Sequence, residues 1–344
     1  MNNTGNLTKN SGLQPVLDEI RQVLESARTS AARSVNTTML QAYWQIGKII
    51  VEREQQGEFK AKYGQRLLAE LAKRLTRDLG RGFSRSNLQN MRAFYLLYPI
   101  CQTPSGKLSW SHYVELLAVA DADARAFYEQ ECANARWSVV ELKRQIGTSL
   151  FERLLLSDGK ANKKKVLALA ATGVALAKPQ DILKQPYVFE FLGVREEKPL
   201  LEKDLEARLI RHIEDFLLEL GRGFMFVGRQ QRMTIGNEHY YVDMVFYNKI
   251  LRAYVLIDLK MTALRIEHAG QMNAYLNYYA TEVNDETDNP PIGIILCKHN
   301  REIVAEYALG GLSNQVFSSN YVYYIPEKEQ LINEVKALLR ESDE

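Results

Sequence analysis

Between Tyr240 and Lys260 the chain reads YYVDMVFYNKILRAYVLIDLK, two runs crowded with Tyr, Val, Ile and Phe around a polar break at Asn248 and Lys249. Side chains alternate faces along a strand, so these runs predict two β-strands joined by a short turn. Three charged residues stand where such strands ought to be apolar. By the period of two, Asp243 shares a face with Tyr241 and Val245, while Asp258 and Lys260 share one with Tyr254 and Leu256. An unpaired carboxylate in a core is costly and normally comes with a partner, a metal ion or a shifted pKa. A divalent cation would satisfy both acids.

The same reasoning extends outward from this hairpin. From about residue 201 the order is helix (201–220), strand (224–234), strand (239–247), strand (252–260), helix (266–282), strand (291–297), the short strand YVYYIP and a closing helix from Glu327. That alternation describes an α/β sandwich with a mixed central sheet. On the first helix Leu209, Ile210, Ile213, Leu217 and Leu220 form one stripe at about 100° per residue, with Glu206 near its middle and Glu214 at its edge. Glu206 reads either as a first-turn acid favoured by the helix dipole or as a group aimed at the Asp243 strand.

Residues 13–155 carry 3.6-period patterns instead, with helices expected over roughly 14–28, 32–56, 63–79, 85–98, 110–119, 121–133 and 138–153. Within them, QRLLAELAKRLTRDLG, RGF and SRSNLQNMRAFYLLYP give helix, Gly-containing turn and a second helix capped by Ser84, the layout of a helix-turn-helix. Lys60 to Arg92 holds nine basic residues against two acids in a chain whose net charge is only +2. Lys73, Arg74, Arg77, Arg81, Arg85, Asn87 and Arg92 are therefore the candidate nucleic-acid contacts, against the plainer reading of a solvated helical hairpin. Trp44, Trp110 and Trp137 lie beside apolar stripes and read as core, with His112 as a structural neighbour. Residues 156–200 form a connecting segment in which PYVFEFL is too apolar to be free linker, and 201–344 form the second domain.

The pattern of Asp243, then Asp258-Leu259-Lys260 on the neighbouring strand, resembles the signature of the PD-(D/E)XK nuclease superfamily, and the element order above is that superfamily's αβββαβ restriction-endonuclease-like core. EARLI, containing Glu206, is similar to the helix glutamate of resolvase-like members, and Gln271 with Tyr275 in HAGQMNAYLNYY is similar to the QxxxY motif of the RecB-like branch. Taken in order, YWQIGKIIVEREQQG, GRGFSRSNLQNMRAFY, WSVVELKRQI and LLELGRGFMFVGRQ resemble the YhcG-like bacterial family over nearly the whole chain. Two departures stand out: Asp258 replaces the family's usual Glu, and Val242 replaces the Pro of the superfamily's name.

The resemblance implies a Mg²⁺- or Mn²⁺-dependent nuclease acting on nucleic acid, DNA first, including branched repair intermediates. Asp243, Asp258, Glu206 and the Leu259 carbonyl would hold the metal, Lys260 would orient or deprotonate the attacking water, and Gln271 and Tyr275 would position Lys260 or the substrate. Arg229 and Arg232, in GRQQRMTI, would neutralise the substrate backbone or merely guard an edge strand. The alternative is a helix-turn-helix DNA-binding regulator or adaptor whose second domain does not cut. Cutting two strands commonly calls for two sites, hence a homodimer. No apolar run long enough for a membrane span and no secretory signal is present, and Cys101, Cys132 and Cys297 lack metal-ligand spacing, so the expected setting is cytoplasmic with idle thiols.

Overall fold

The computed structural model of this protein describes residues 13–55, 61–98, 107–157, 163–174, 176–194, 201–299, 309 and 315–341; Lys60 and Cys101 lie outside these. It divides into two compact units, Met1–Ala120 and Asp121–Glu344.

In the first unit, α1 (Leu13–Gln55) is a single helix where two are expected, because Thr29 to Ala31 offers neither Gly nor Pro to stop it. It is followed by α2 (Ala61–Leu79), α3 (Arg85–Leu97) and α4 (Trp110–Leu117). Ile50, Leu68, Leu88 and Met91 form the core, with Tyr43 and Trp110 packed on it. A Cβ at Gly47 would overlap the Met91 carbonyl oxygen, so the missing side chain is what lets α1 and α3 approach so closely. Ser84 caps α3 by accepting from the Asn87 amide at 3.2 Å. Trp44, half-buried, packs edge-on against Tyr95 and donates to the Tyr98 carbonyl at 2.7 Å.

The second unit opens with α5 (Ala122–Ala135), α6 (Val139–Gly147), α7 (Leu150–Leu156) and α8 (Lys163–Thr172). The single helix expected over 138–153 is broken at Ser149, which adopts a left-handed φ of 54°. Next come β1 (Tyr187–Val188), α9 (Glu202–Arg211), α10 (Ile213–Leu220), β2 (Phe224–Ile235), β3 (Glu238–Asn248) and β4 (Ala253–Ala263). After these come α11 (Ile266–Tyr278), β5 (Ile292–His299), β6 (Val316–Val322) and α12 (Lys328–Glu341). The expected helix over 201–220 is likewise two helices, parted at His212.

The strands form one mixed six-stranded sheet in the order β1-β6-β5-β4-β3-β2. β2, β3 and β4 are antiparallel neighbours, and the remaining pairs are parallel. One face packs Leu205, Leu209 and Phe216 against Met244, Phe246 and Ile257. The other packs Met272, Tyr275 and Leu276 of α11 against Val245, Leu256 and Ile295. The apolar segment after Pro186 adds β1 beside β6, with Tyr187, Val188 and Phe189 fully buried.

Helices α5 to α8 belong to the sheet-bearing unit, so the compact units part about thirty-five residues before the expected boundary near 155. The fastening is ionic as well as apolar. Arg144 of α6 bonds Glu190 at 2.7 Å, and the fully buried Arg153 of α7 pairs with Glu219 of α10.

Candidate active site

β3 and β4 are paired from Asn248 and Ala253 as far as Met244 and Ile257. Past that point the Asp243 carboxylate itself accepts the Leu259 amide, Oδ2 to N at 2.8 Å, so a side chain takes the place of a ladder carbonyl. The next residue in from Leu259 is Asp258, only 3% exposed. Lys260 Nζ lies 2.7 Å from Asp258 Oδ2, a largely buried ion pair. Burial first, and the Asp243 charge with it, push the Asp258 carboxyl up to about 7 against the pull of Lys260. Burial works against the charge on Lys260 too, yet Asp258 and Glu202, the latter 3.5 Å away, outweigh it and hold the amine above its ordinary value. Lys260 is thus a firmly charged ammonium.

From the opposite face of the sheet α9 presents Glu206, 8% exposed, while Glu214 on α10 is exposed. The stripe on the helix predicts this difference. What joins Glu206 to the strands is Gln230, whose Nε2 donates to Glu206 Oε2 at 2.7 Å and to Asp243 Oδ1 at 3.1 Å. Burial raises the Glu206 carboxyl above its ordinary range and the Asp243 charge adds to this, with Gln230 and Arg229 opposing. Arg229 lines a surface cavity of about 460 Å³ with Lys203, Glu206, Ala207 and Gln230. Arg232 is exposed further along β2, which is an edge strand.

On the α11 side Gln271 is exposed and donates to the Tyr275 hydroxyl. Tyr275 is 2% exposed, so its ring supports Gln271 from beneath and is out of reach of a substrate on the surface. Its hydroxyl is raised by burial and senses the charges of Asp258 and Lys260. His268 accepts the Arg265 amide at 3.2 Å and is held below its ordinary pKa by burial and by the nearby Lys260 charge. The structure therefore brings Glu206, Asp243, Asp258, Lys260 and Tyr275 to one locality. It adds Glu202 and Gln230, which no period or motif in the sequence singles out. Cys132 and Cys297 are buried, which pushes each thiol up to about 12 and makes both inert.

Among the described residues no three His, Cys, Asp or Glu side chains stand close enough to hold an ion as they are. At this locality the Gln230 amide is shared between two of the acids. The donor set nevertheless fits a hard divalent cation: the candidate side chains offer only oxygen, and Asp258 and Glu206 are both short of positive charge. Leu259 meets this site through its amide.

In the first unit Lys73, Arg74, Arg77, Arg81 and Arg85 are exposed on α2, the turn and the start of α3, and Arg92 is half-buried. Arg74 pairs with Glu70 and Arg77 with Asp78, both at 2.8 Å, exposed contacts of little strength that leave the cluster open to phosphate. Asn87 is already engaged: Nδ2 donates to the Gly82 carbonyl and Oδ1 accepts Trp110 Nε1 at 2.8 Å, so it shapes the turn.

Comparison with known proteins places these features. Residues 180–336 match the family described as YhcG PDDEXK nuclease domain, and residues 19–153 match the DUF1016 N-terminal domain. A protein of Escherichia coli (strain K12), the provisionally named nuclease YhcG, is 40% identical over 94% of this chain and 94% of its own length. Among solved structures, a repair endonuclease from Pyrococcus abyssi matches 39% of this chain and 50% of its own at 16% identity and a TM-score of 0.26. An EndoMS complex with double-stranded DNA matches 39% of this chain and 51% of its own at 16% identity and a TM-score of 0.25. Both structural matches are too distant to bear on this chain.

Proposed function

We propose, because this chain belongs to the YhcG family with its C-terminal PDDEXK nuclease domain, that it is a metal-dependent nuclease hydrolysing phosphodiester bonds in nucleic acid, DNA in the first place. The observation that carries the reading is the buried Asp258 beside Asp243 and Lys260, where strand pairing stops and two carboxylates face each other without a second cation. Asp243, Asp258 and Glu206, with the Leu259 carbonyl, would hold Mg²⁺ or Mn²⁺. When bound, such an ion supplies Lewis-acid stabilisation of the phosphate charge and a more acidic water. Lys260, kept charged by Asp258 and Glu202, suits the task of orienting the attacking water and countering the charge on phosphate better than that of a base. Tyr275 fixes Gln271 at the rim, where Gln271 would position substrate, and Arg229 would meet the backbone at the cavity beside Glu206.

Purified protein incubated with linear, circular, single-stranded and branched DNA in Mg²⁺ tests the activity. Two variants then test the site. Glu206→Gln is expected to slow cleavage by about 100-fold, the scale reached even by outer-shell metal partners. Glu214→Gln, exposed on the next helix, is expected to stay within about twofold of the parent, since surface changes are near-neutral. The reverse ranking would place the helix acid wrongly.

The exposed cluster on α2 and α3 would contribute binding through phosphates. Each neutralised phosphate adds roughly −0.9 to the slope of log affinity against log salt on duplex DNA. Replacing Arg81 and Arg85 together by Ala is expected to flatten that slope by about 2, read by anisotropy titrations at several salt concentrations. An unchanged slope would shift the contact to Arg229 and Arg232. The regulator reading shares this binding and differs in predicting no cleavage.

A further inference from the structure

Gln230 sits at an irregular place in its strand. β2 slips register against β3 between Phe226 and Gly228, and Gln230 then takes a φ of 46°, the left-handed region that costs a residue with a side chain. Such an irregularity re-aims a side chain, and here the side chain that benefits reaches across to two acids at once. A neutral amide with two N–H groups can satisfy two carboxylates without adding a charge. An arginine would bind the same acids more tightly, and arginines are close by at 229 and 232. The orientation of the amide is fixed by chemistry, because both partners are acceptors and only Nε2 can donate.

We infer that Gln230 is a positioning residue that holds Glu206 and Asp243 together in the cation-free protein and competes with the divalent cation for both carboxylates, so that loading requires its amide to let go. This rests on the nuclease reading of the same site. An ordinary structural glutamine would behave differently: removing it would weaken the fold and, with the acids no longer held, weaken cation binding as well. Competition predicts opposite signs for the two quantities. Without Gln230 the cation-free protein loses two hydrogen bonds to charged groups and leaves Glu206 and Asp243 to repel, whereas the cation no longer has to displace anything.

The test is calorimetric titration of the full-length protein with Mg²⁺ alone, without nucleic acid, beside thermal unfolding in chelator. Gln230→Leu, at an exposed position, removes the donor and keeps the bulk. Its thermal midpoint in chelator is expected below that of the parent, and its Mg²⁺ affinity about tenfold higher, which is the equivalent of ~1.4 kcal/mol. Gln230→Met, which also lacks a donor, is expected to behave alike and stands in if the Leu variant does not fold. Equal or weaker Mg²⁺ binding by the variant, with binding by the parent intact, overturns the competition. A parent that binds no Mg²⁺, or an Asp258→Asn variant that binds it as the parent does, overturns the nuclease site and this inference with it.

Discussion

Replacing Asp258 by Asn is expected to cut turnover by more than about 100-fold, beyond what loss of an outer-shell metal partner costs, while nucleic-acid binding stays near the parental level. The variant keeps the shape of the side chain and removes its charge. In the parent, burial and the neighbouring Asp243 push the Asp258 carboxyl up to about 7, so near neutrality the cation-free site is short of positive charge. A cation that relieves this shortage stabilises the folded parent by mass action, and the Asn variant should lose that stabilisation in a thermal shift with and without Mg²⁺. Lys260→Ala should differ in kind: it leaves the carboxylates in place, so Mg²⁺ still raises the unfolding temperature, yet turnover falls because the ammonium beside Asp258 is gone. If both variants lost both properties, the division of labour between ligand and ammonium would be wrong.

Glu219→Gln is expected to cost about 3–5 kcal/mol of stability, the range found when one partner of a buried ion pair is removed. Glu219 and Arg153 are both fully buried, Arg144 Nη2 lies 3.4 Å from Glu219 Oε2, and the Val188 amide donates to Oε1 at 3.0 Å. Lys184, also buried, donates to the Glu219 carbonyl. Burial alone would raise the Glu219 carboxyl, but Arg153, Lys184 and Arg144 outweigh it and bring it down to about 2. A carboxyl depressed in the folded state contributes stability that is fully present above its unfolded value of 4.5 and is lost as pH falls toward 2. The gap in urea midpoint between parent and Glu219→Gln should therefore be large at pH 7 and narrower at pH 3. A gap that persists unchanged at pH 3 would mean that shape, and not charge, is what Glu219 supplies. Because Arg144 and Arg153 lie on α6 and α7, the same variant should loosen those helices from the sheet.

The juxtaposition of Asp243, Asp258 and Lys260 is legible in the sequence because a strand has a period of two and leaves little freedom about which side chains share a face. Glu206 was legible for a similar reason, its phase on an amphipathic helix, and the break at His212 came after it and did not disturb that phase. Gln230 was not legible. It lies in an exposed stretch of a polar edge strand, and only the left-handed turn of the backbone at that residue directs it to the acids. Glu202 was missed because its partner, Lys260, is far along the chain and on a different element. The helix break at His212 carries neither Gly nor Pro and follows from tertiary packing that local propensity does not record, whereas the break at Ser149 comes just after Gly147, the last residue of α6. Asn87 shows the opposite case: a polar residue on a basic helix reads as free, whereas its amide is bonded to Gly82 and Trp110.

Metal-dependent cleavage at Asp243 and Asp258 is measured directly with a mixed panel of linear, circular, single-stranded and branched DNA and the purified full-length protein, in Mg²⁺ and in chelator, beside an Asp243→Asn, Asp258→Asn double variant. Product is expected from at least one substrate in Mg²⁺, none in chelator and none from the double variant at any cation concentration. Undiminished cleavage by the double variant, or tight DNA binding by the parent with no product from any substrate, would contradict this expectation.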